Sequence, residues 1–148
     1  MVQVIGSIMD EVTARLVESG ATIDKYIGDA VMAFWNAREK QSDHLIRALY
    51  GACRIQEDTE LIRKKIQSID PVVKDSAIAF GIGICCGPIT VGNFGSSFRF
   101  NYTVLGDAVN TASRLESLTK EKGAPILVAA DELEDGQHIA FANRVMLV

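Results

Sequence analysis

Positive charge is the scarcer sign in this chain: 15 lysines and arginines stand against 19 acids, a formal net charge of -4. No global positive field exists to gather a nucleic-acid polymer or an anionic membrane surface, so the contacts to any anionic ligand must be local. Cysteine is also scarce. The three that occur are odd in number and lack metal-ligand spacing, which excludes a disulfide framework and predicts reduced, mostly packed thiols. Cys53 falls in a helical pattern, and the neighbours Cys85 and Cys86 point to opposite faces of a strand. An unbroken apolar run is missing too. The stretch from Ser76 to Phe98 is nearly uncharged, but five glycines, a proline and an asparagine break it, giving a pattern of strand, turn and strand and not a spanning helix. No basic segment followed by an apolar one opens the chain at Met1, so no secretory signal is expected and a cytoplasmic placement is the default.

What is present is ordinary for a folded domain. The chain has 148 residues, 48% hydrophobic and 23% charged, enough to bury roughly 70% of its unfolded surface without staples. No internal repeat, low-complexity tract or interdomain linker interrupts it, and 1–148 reads as a single domain.

Val4, Ile5, Ile8, Val12 and Leu16 form one apolar helical face between about Val2 and Ser19, with Gly20 as a stop. Ala21 to Tyr26 and Val31 to Trp35 are β-prone runs around Gly28-Asp29, a hairpin signal. Ser42 or Asp43 then caps one long helix with Leu45, Ile46, Leu49, Ala52, Cys53 and Gln56 on its patterned face, continuing to Ile66 and ending before Pro71. From Ser76 to Cys86, Ala77, Ala79, Gly81 and Gly83 alternate with Ile78, Phe80, Ile82 and Ile84, so a strand with one small-residue face is expected, closely covered by something. Ile89 to Val91 is a short apolar piece, Gly92 to Ser97 a loop, and Phe98 to Leu105 a strand. A helix from Asp107 to Lys120, closed by Gly123, and a strand from Pro125 to Ala129 complete the pattern, which fades afterwards. The order is most of a β-α-β-β-α-β split motif without its first strand.

Two segments carry candidate chemistry. In the first, Lys25 lies four residues before Asp29 across a tight turn. Asp29 either makes the turn with Gly28, leaving Lys25 solvated, or offers a carboxylate at a hairpin tip to a hard cation such as Mg²⁺. In the second, Ala108, Ala112, Leu115 and Leu118 form a buried helical stripe while Asn110, Arg114 and Ser117 share another flank. Either Asp107 caps this helix and Arg114 pairs with Glu116 or Glu121, or the strand-to-helix corner holds an anion with help from the helix N-terminus.

Together the strings K-Y-I-G-D-A-V-M-A-F-W at Lys25 to Trp35, G-I-G-I-C-C-G-P-I-T-V-G-N-F-G-S at Gly81 to Ser96 and Y-T-V-L-G-D-A-V-N-T-A-S-R-L-E at Tyr102 to Glu116 resemble the class III adenylyl and guanylyl cyclase catalytic domain. Their order and separations fit as well, over nearly the whole chain. The resemblance implies an α/β (α+β) fold, a ferredoxin-like cyclase palm with extra C-terminal elements. It implies that Asp29 is one of two aspartates holding two Mg²⁺ or Mn²⁺ ions. Lys25 and Thr103 would read the purine, Asn110 would orient the ribose, and Arg114 would stabilise charge on the phosphates. Asp107 falls between these positions, as a cap or structural acid. Lys25 only donates hydrogen bonds, which suits an acceptor nitrogen of adenine; the guanylyl branch typically has Glu and Cys at the two purine positions, so the substrate implied is ATP. The family works as a head-to-tail dimer with sites at the interface, so a homodimer is implied, with neither nucleic acid nor direct membrane contact from this segment.

The family's other metal aspartate belongs to a strand before the first helix, and neither Asp10 nor Asp24 has the context to replace it. A phosphate-holding lysine near the family domain's end would fall beyond Val148. The expectation is therefore a domain incomplete at its N-terminus and short at its end, with an open place for a central strand. Two functions follow: a piece of an active adenylyl cyclase, or a catalytically silent nucleotide-binding partner. The retained Asp29 favours the first.

Overall fold

The computed structural model describes residues 2–74 and 78–129, and the backbone of residues 144–147. Helix α1 (Val2–Glu18) is followed by the hairpin strands β1 (Thr22–Ile27) and β2 (Ala30–Trp35). Helices α2 (His44–Glu57) and α3 (Thr59–Ile69) lead to β3 (Ile82–Cys86), the hairpin β4 (Thr90–Ser96) and β5 (Arg99–Leu105), helix α4 (Asp107–Lys122), and strands β6 (Ile126–Ala129) and β7 (Arg144–Leu147). A five-stranded sheet has the order β1-β2-β7-β3-β6, and β4 and β5 form a sheet of their own. This mixed α and β arrangement is the expected class.

The sheet is covered on both faces, which β2 shows residue by residue. Val31, Ala33 and Trp35 join Met9, Val12 and Leu16 of α1 and Ala48, Ala52 and Ile55 of α2 in one core. The alternating Met32 and Phe34 join Val104, Ala108 and Ala112 in a second. A strand buried on both faces reads as continuously apolar, as A-V-M-A-F-W does.

The small-residue face of the Ser76 to Cys86 pattern has its explanation in α4. A Cβ placed on Gly83 would lie 2.1 Å from the Ala112 carbonyl oxygen and 2.4 Å from the Glu116 amide nitrogen, and one on Gly81 would lie 2.3 Å from Thr119 Oγ1. Helix backbone touches strand backbone here, a contact that only glycine permits.

Several boundaries differ from the pattern. The expected long helix is two, broken at Asp58, whose carboxylate accepts from Arg15 Nε at 2.9 Å and Arg54 Nη2 at 3.0 Å. Thr59 Oγ1 also donates back to the Ile55 carbonyl at 3.0 Å, a bond that bends helices. The buried residues of α2 include Leu45, Ala48, Ala52 and Ile55, whereas Ile46 and Cys53 are exposed, so the packed face is rotated from the expected one and not every thiol is packed. Regular strand pairing begins only at Ile82, and Ser76 and Ala77 lie outside the described residues. The expected loop from Gly92 to Ser97 is mostly strand: β4 pairs with β5 from Thr90↔Leu105 to Ser96↔Arg99, leaving Ser97 and Phe98 as the turn. The position between β2 and β3, where the split motif's first strand is expected, is taken by β7, antiparallel to both. Among the described residues, no helix is long and apolar enough to cross a membrane.

A charged cluster ties α1 to α2 and α3. Arg15, only 7% exposed, donates to the Glu11 carboxylate at 2.9 Å and to Asp58, while Lys65 of α3 donates to the other Glu11 oxygen. Lys65, then Arg15, hold the Glu11 carboxyl below its ordinary value of 4.5. Its contribution to stability is therefore complete above that value and is lost as pH falls through the lowered one. Denaturant titrations across acidic pH should show a shallower acid limb in Glu11→Gln than in the wild type. Gly83→Ala is expected to lose about 2 to 3 kcal/mol of unfolding free energy through overpacking. Gly6→Ala, in the exposed interior of α1 with nothing near its added Cβ, should gain roughly 0.5 to 1 kcal/mol in the same urea melts.

Candidate functional site

The β1-β2 hairpin carries two of the candidate residues. Ile27 pairs with Ala30, so Gly28 and Asp29 are a two-residue turn, and Gly28 has the φ of 63° that a glycine at its first central position supplies. Asp29 is exposed at the tip, with no hydrogen bond or ion pair to another described residue. Four residues back, the Lys25 side chain is 44% exposed and its Nζ lies 3.4 Å from Asp24 Oδ2. The pairing register shifts between Ile23 and Lys25, leaving Asp24 as the extra residue of a β-bulge.

Thr103, on β5, is buried and donates from Oγ1 to Asp24 Oδ2 at 2.9 Å. Lys25 and Thr103, 78 positions apart, thus meet at one carboxylate. Asp24 is the participant that sequence reasoning missed as part of this group; an acid next to Lys25 was visible, but the bulge that turns it toward β5 leaves no mark in residue alternation.

Asn110 and Arg114 are both exposed on α4, one helical turn apart, on the flank away from the buried Ala108 and Ala112. The buried stripe continues at Thr119, with Leu115 and Leu118 partly covered. Arg114 pairs with neither Glu116 nor Glu121; the latter's ion pair is with Lys122. Asp107 is the first helical residue, not the cap, a place taken by Gly106; its charge complements the partial positive charge of the first turn. The structure joins Lys25 to Thr103 through Asp24 and places Asn110 beside Arg114, but no bond links Asp29 to either pair.

For cation chemistry, Asp29 offers one unpaired, exposed carboxylate, a donor suited to Mg²⁺ or Mn²⁺ held by one or two carboxylates plus phosphate oxygens. Among the described residues no cluster of three or more His, Cys, Asp and Glu gathers.

Residues 1–144 match the family described as the adenylate and guanylate cyclase catalytic domain. The chain belongs to that family. It is 38% identical over 111 residues to an adenylate cyclase of Anabaena cylindrica, covering 75% of this chain and 21% of the relative. It is 35% identical over 119 residues to the terminal-differentiation specific adenylate cyclase of Dictyostelium discoideum, covering 80% of this chain and 5% of that protein. The chain thus spans about a fifth of the first relative and a twentieth of the second. Among solved structures, the adenylyl cyclase CyaB from P. aeruginosa superposes with a TM-score of 0.75 at 26% identity, covering 99% of this chain and 81% of that one. A bacterial light-regulated adenylyl cyclase superposes at 0.71 and 28% identity, over 86% of this chain and 62% of the other. The fold is that of the cyclase palm.

Because Asn110 and Arg114 are exposed and have no partner among the described residues, Asn110→Ala and Arg114→Ala in this cyclase domain should each shift the unfolding free energy by less than about 0.5 kcal/mol. Urea denaturation measures this, and a larger loss would assign them to the scaffold.

Proposed function

We propose that this domain converts ATP to 3′,5′-cyclic AMP and pyrophosphate, as part of a cytoplasmic signalling protein. The observation that carries the reading is the meeting of Lys25 and Thr103, two purine-reading positions implied by the family resemblance, from separate strands. In the reaction, the ribose 3′-oxygen bonds to the α-phosphorus and loses its proton, and the bond from that phosphorus to the pyrophosphate oxygen breaks.

Each residue has one task. Lys25 donates to an acceptor nitrogen of adenine. Asn110 orients the ribose, so that the 3′-oxygen approaches in line. Arg114, with no acid neutralising it among the described residues, stabilises the negative charge that develops on the phosphates. Asp29 holds divalent cation, one of two Mg²⁺ or Mn²⁺ ions that, when bound, lower the 3′-hydroxyl pKa and offset triphosphate charge.

The working unit in this reading is a head-to-tail homodimer, with Asp29 of one protomer facing Lys25, Thr103, Asn110 and Arg114 of its partner. The β4-β5 hairpin supports it: Phe100 and Tyr102, alternate residues of β5, and Phe98 in the turn are all more than half exposed, apolar surface that a second copy would cover.

Protein that also carries the family's other metal aspartate is expected to make cyclic AMP and little cyclic GMP; comparable turnover of GTP would sink the substrate assignment. Lys25→Glu with Thr103→Cys should weaken ATP selectivity, measured as the ratio of kcat/KM values. In that same protein, mixing the Asp29→Ala and Asn110→Ala forms should restore activity through one intact heterodimer site, and no rescue at any ratio would count against the shared site.

A further inference from the structure

We propose that Asp24 is a positioning residue that fixes which way Thr103 can hydrogen-bond, and thereby makes the purine site selective for adenine; this rests on the ATP reading above. A threonine hydroxyl has one proton and two lone pairs, so alone it can donate to or accept from a base. Here the choice is removed. Thr103 Oγ1 lies 2.9 Å from Asp24 Oδ2, and a carboxylate oxygen can only accept, so the hydroxyl proton is committed to Asp24. What remains for a ligand is a lone pair.

The commitment is strong because of where Asp24 sits. Its side chain has no solvent exposure, and Oδ1 is buried with no hydrogen-bond partner among the described residues. The carboxylate therefore depends on the Thr103 hydroxyl and on the Lys25 ammonium 3.4 Å from the same oxygen. Turning the Thr103 proton toward a ligand would strip a buried carboxylate of its hydroxyl donor, a costly exchange. The β-bulge at Asp24 is what brings the three groups together, since it is the one residue of β1 outside the regular pairing.

The pair then presents a fixed pattern: Lys25 donates and Thr103 accepts. Adenine answers it with an acceptor ring nitrogen beside an exocyclic amino donor. Guanine presents the reverse, a ring N–H donor beside a carbonyl oxygen, and meets a cation and a lone pair at the wrong places. Asp24 needs no contact with the base to impose this order.

The test is competition binding of ATP and GTP against a fluorescent ribose-labelled ATP analogue on the intact protein, with Kd values for wild type, Asp24→Asn, Thr103→Val and the double variant. Asparagine keeps the shape of Asp24 but can offer either an N–H or a carbonyl oxygen to Thr103, freeing the hydroxyl to donate. The expected result is a fall of about tenfold in the ratio of the GTP Kd to the ATP Kd in Asp24→Asn, and a much smaller effect of the same change in the Thr103→Val background. A scaffold role for Asp24 would weaken both nucleotides alike and leave the ratio unmoved. Should Asp24→Asn fail to fold, Asp24→Ala, which removes the buried charge and its unpaired oxygen together, carries the same expected fall. A wild type that prefers ATP while the Asp24 variant keeps that ratio within twofold overturns the proposal alone. A wild type that binds neither nucleotide, or both equally, overturns the ATP reading and the proposal with it.

Discussion

The contact between α4 and β3 is the constraint on which the rest depends. With the Ala112 carbonyl and Glu116 amide nitrogen where a Cβ on Gly83 would stand, the helix cannot rotate about its axis or move closer without a backbone clash. That fixed rotation buries Ala108 and Ala112 and turns Asn110 and Arg114 outward. It also anchors the start of the helix beside Val104, the neighbour of Thr103 on β5, so the placements of Thr103, Asn110 and Arg114 are tied to one packing contact. Close packing of this kind leaves few alternative arrangements, which is what a site needs if its groups are to stand ready before a ligand arrives.

Charges are divided between the two faces of the sheet by role. On the side of α1, α2 and α3 they are spent on one another: Arg15, Glu11, Asp58, Arg54 and Lys65 form a connected group, partly buried, that holds three helices together. On α4 and the hairpin tip, Arg114 and Asp29 are left without partners among the described residues. A chain with a net charge of -4 can still meet an anion through a local cation, and Arg114 on the open flank of α4 is such a group.

Much of this was legible in the sequence because it rests on local rules. The helical face of α1, the Gly28-Asp29 turn and the alternation of glycines with isoleucines in β3 each follow from a period or a turn preference. The glycine face even announced a close neighbour, although only the fold identifies it as α4. What escaped were features decided by distant partners. Asp58 breaks a helix because Arg15, 43 positions away, takes its carboxylate. Gly92 and Gly95 look like loop residues, yet they pair in β4 because Thr103 and Phe100 lie opposite them. Asp24 was weighed only as a metal ligand, since neither its bulge nor Thr103 can be foreseen from neighbouring residues. The candidate site residues were named through the family strings, not through periodicity.

The placement of β7 has a consequence for how the protein comes into being. The strand lies in the middle of the main sheet, yet it pairs with Phe34 and Trp35 from about 110 positions further along the chain. During synthesis β2 and β3 therefore emerge well before residues 144–147, the strand that joins their facing edges. Pairings of such long sequence separation form slowly, and open strand edges are the places where one nascent chain can capture another. A change in β7 would thus disturb the centre of the sheet, not its margin.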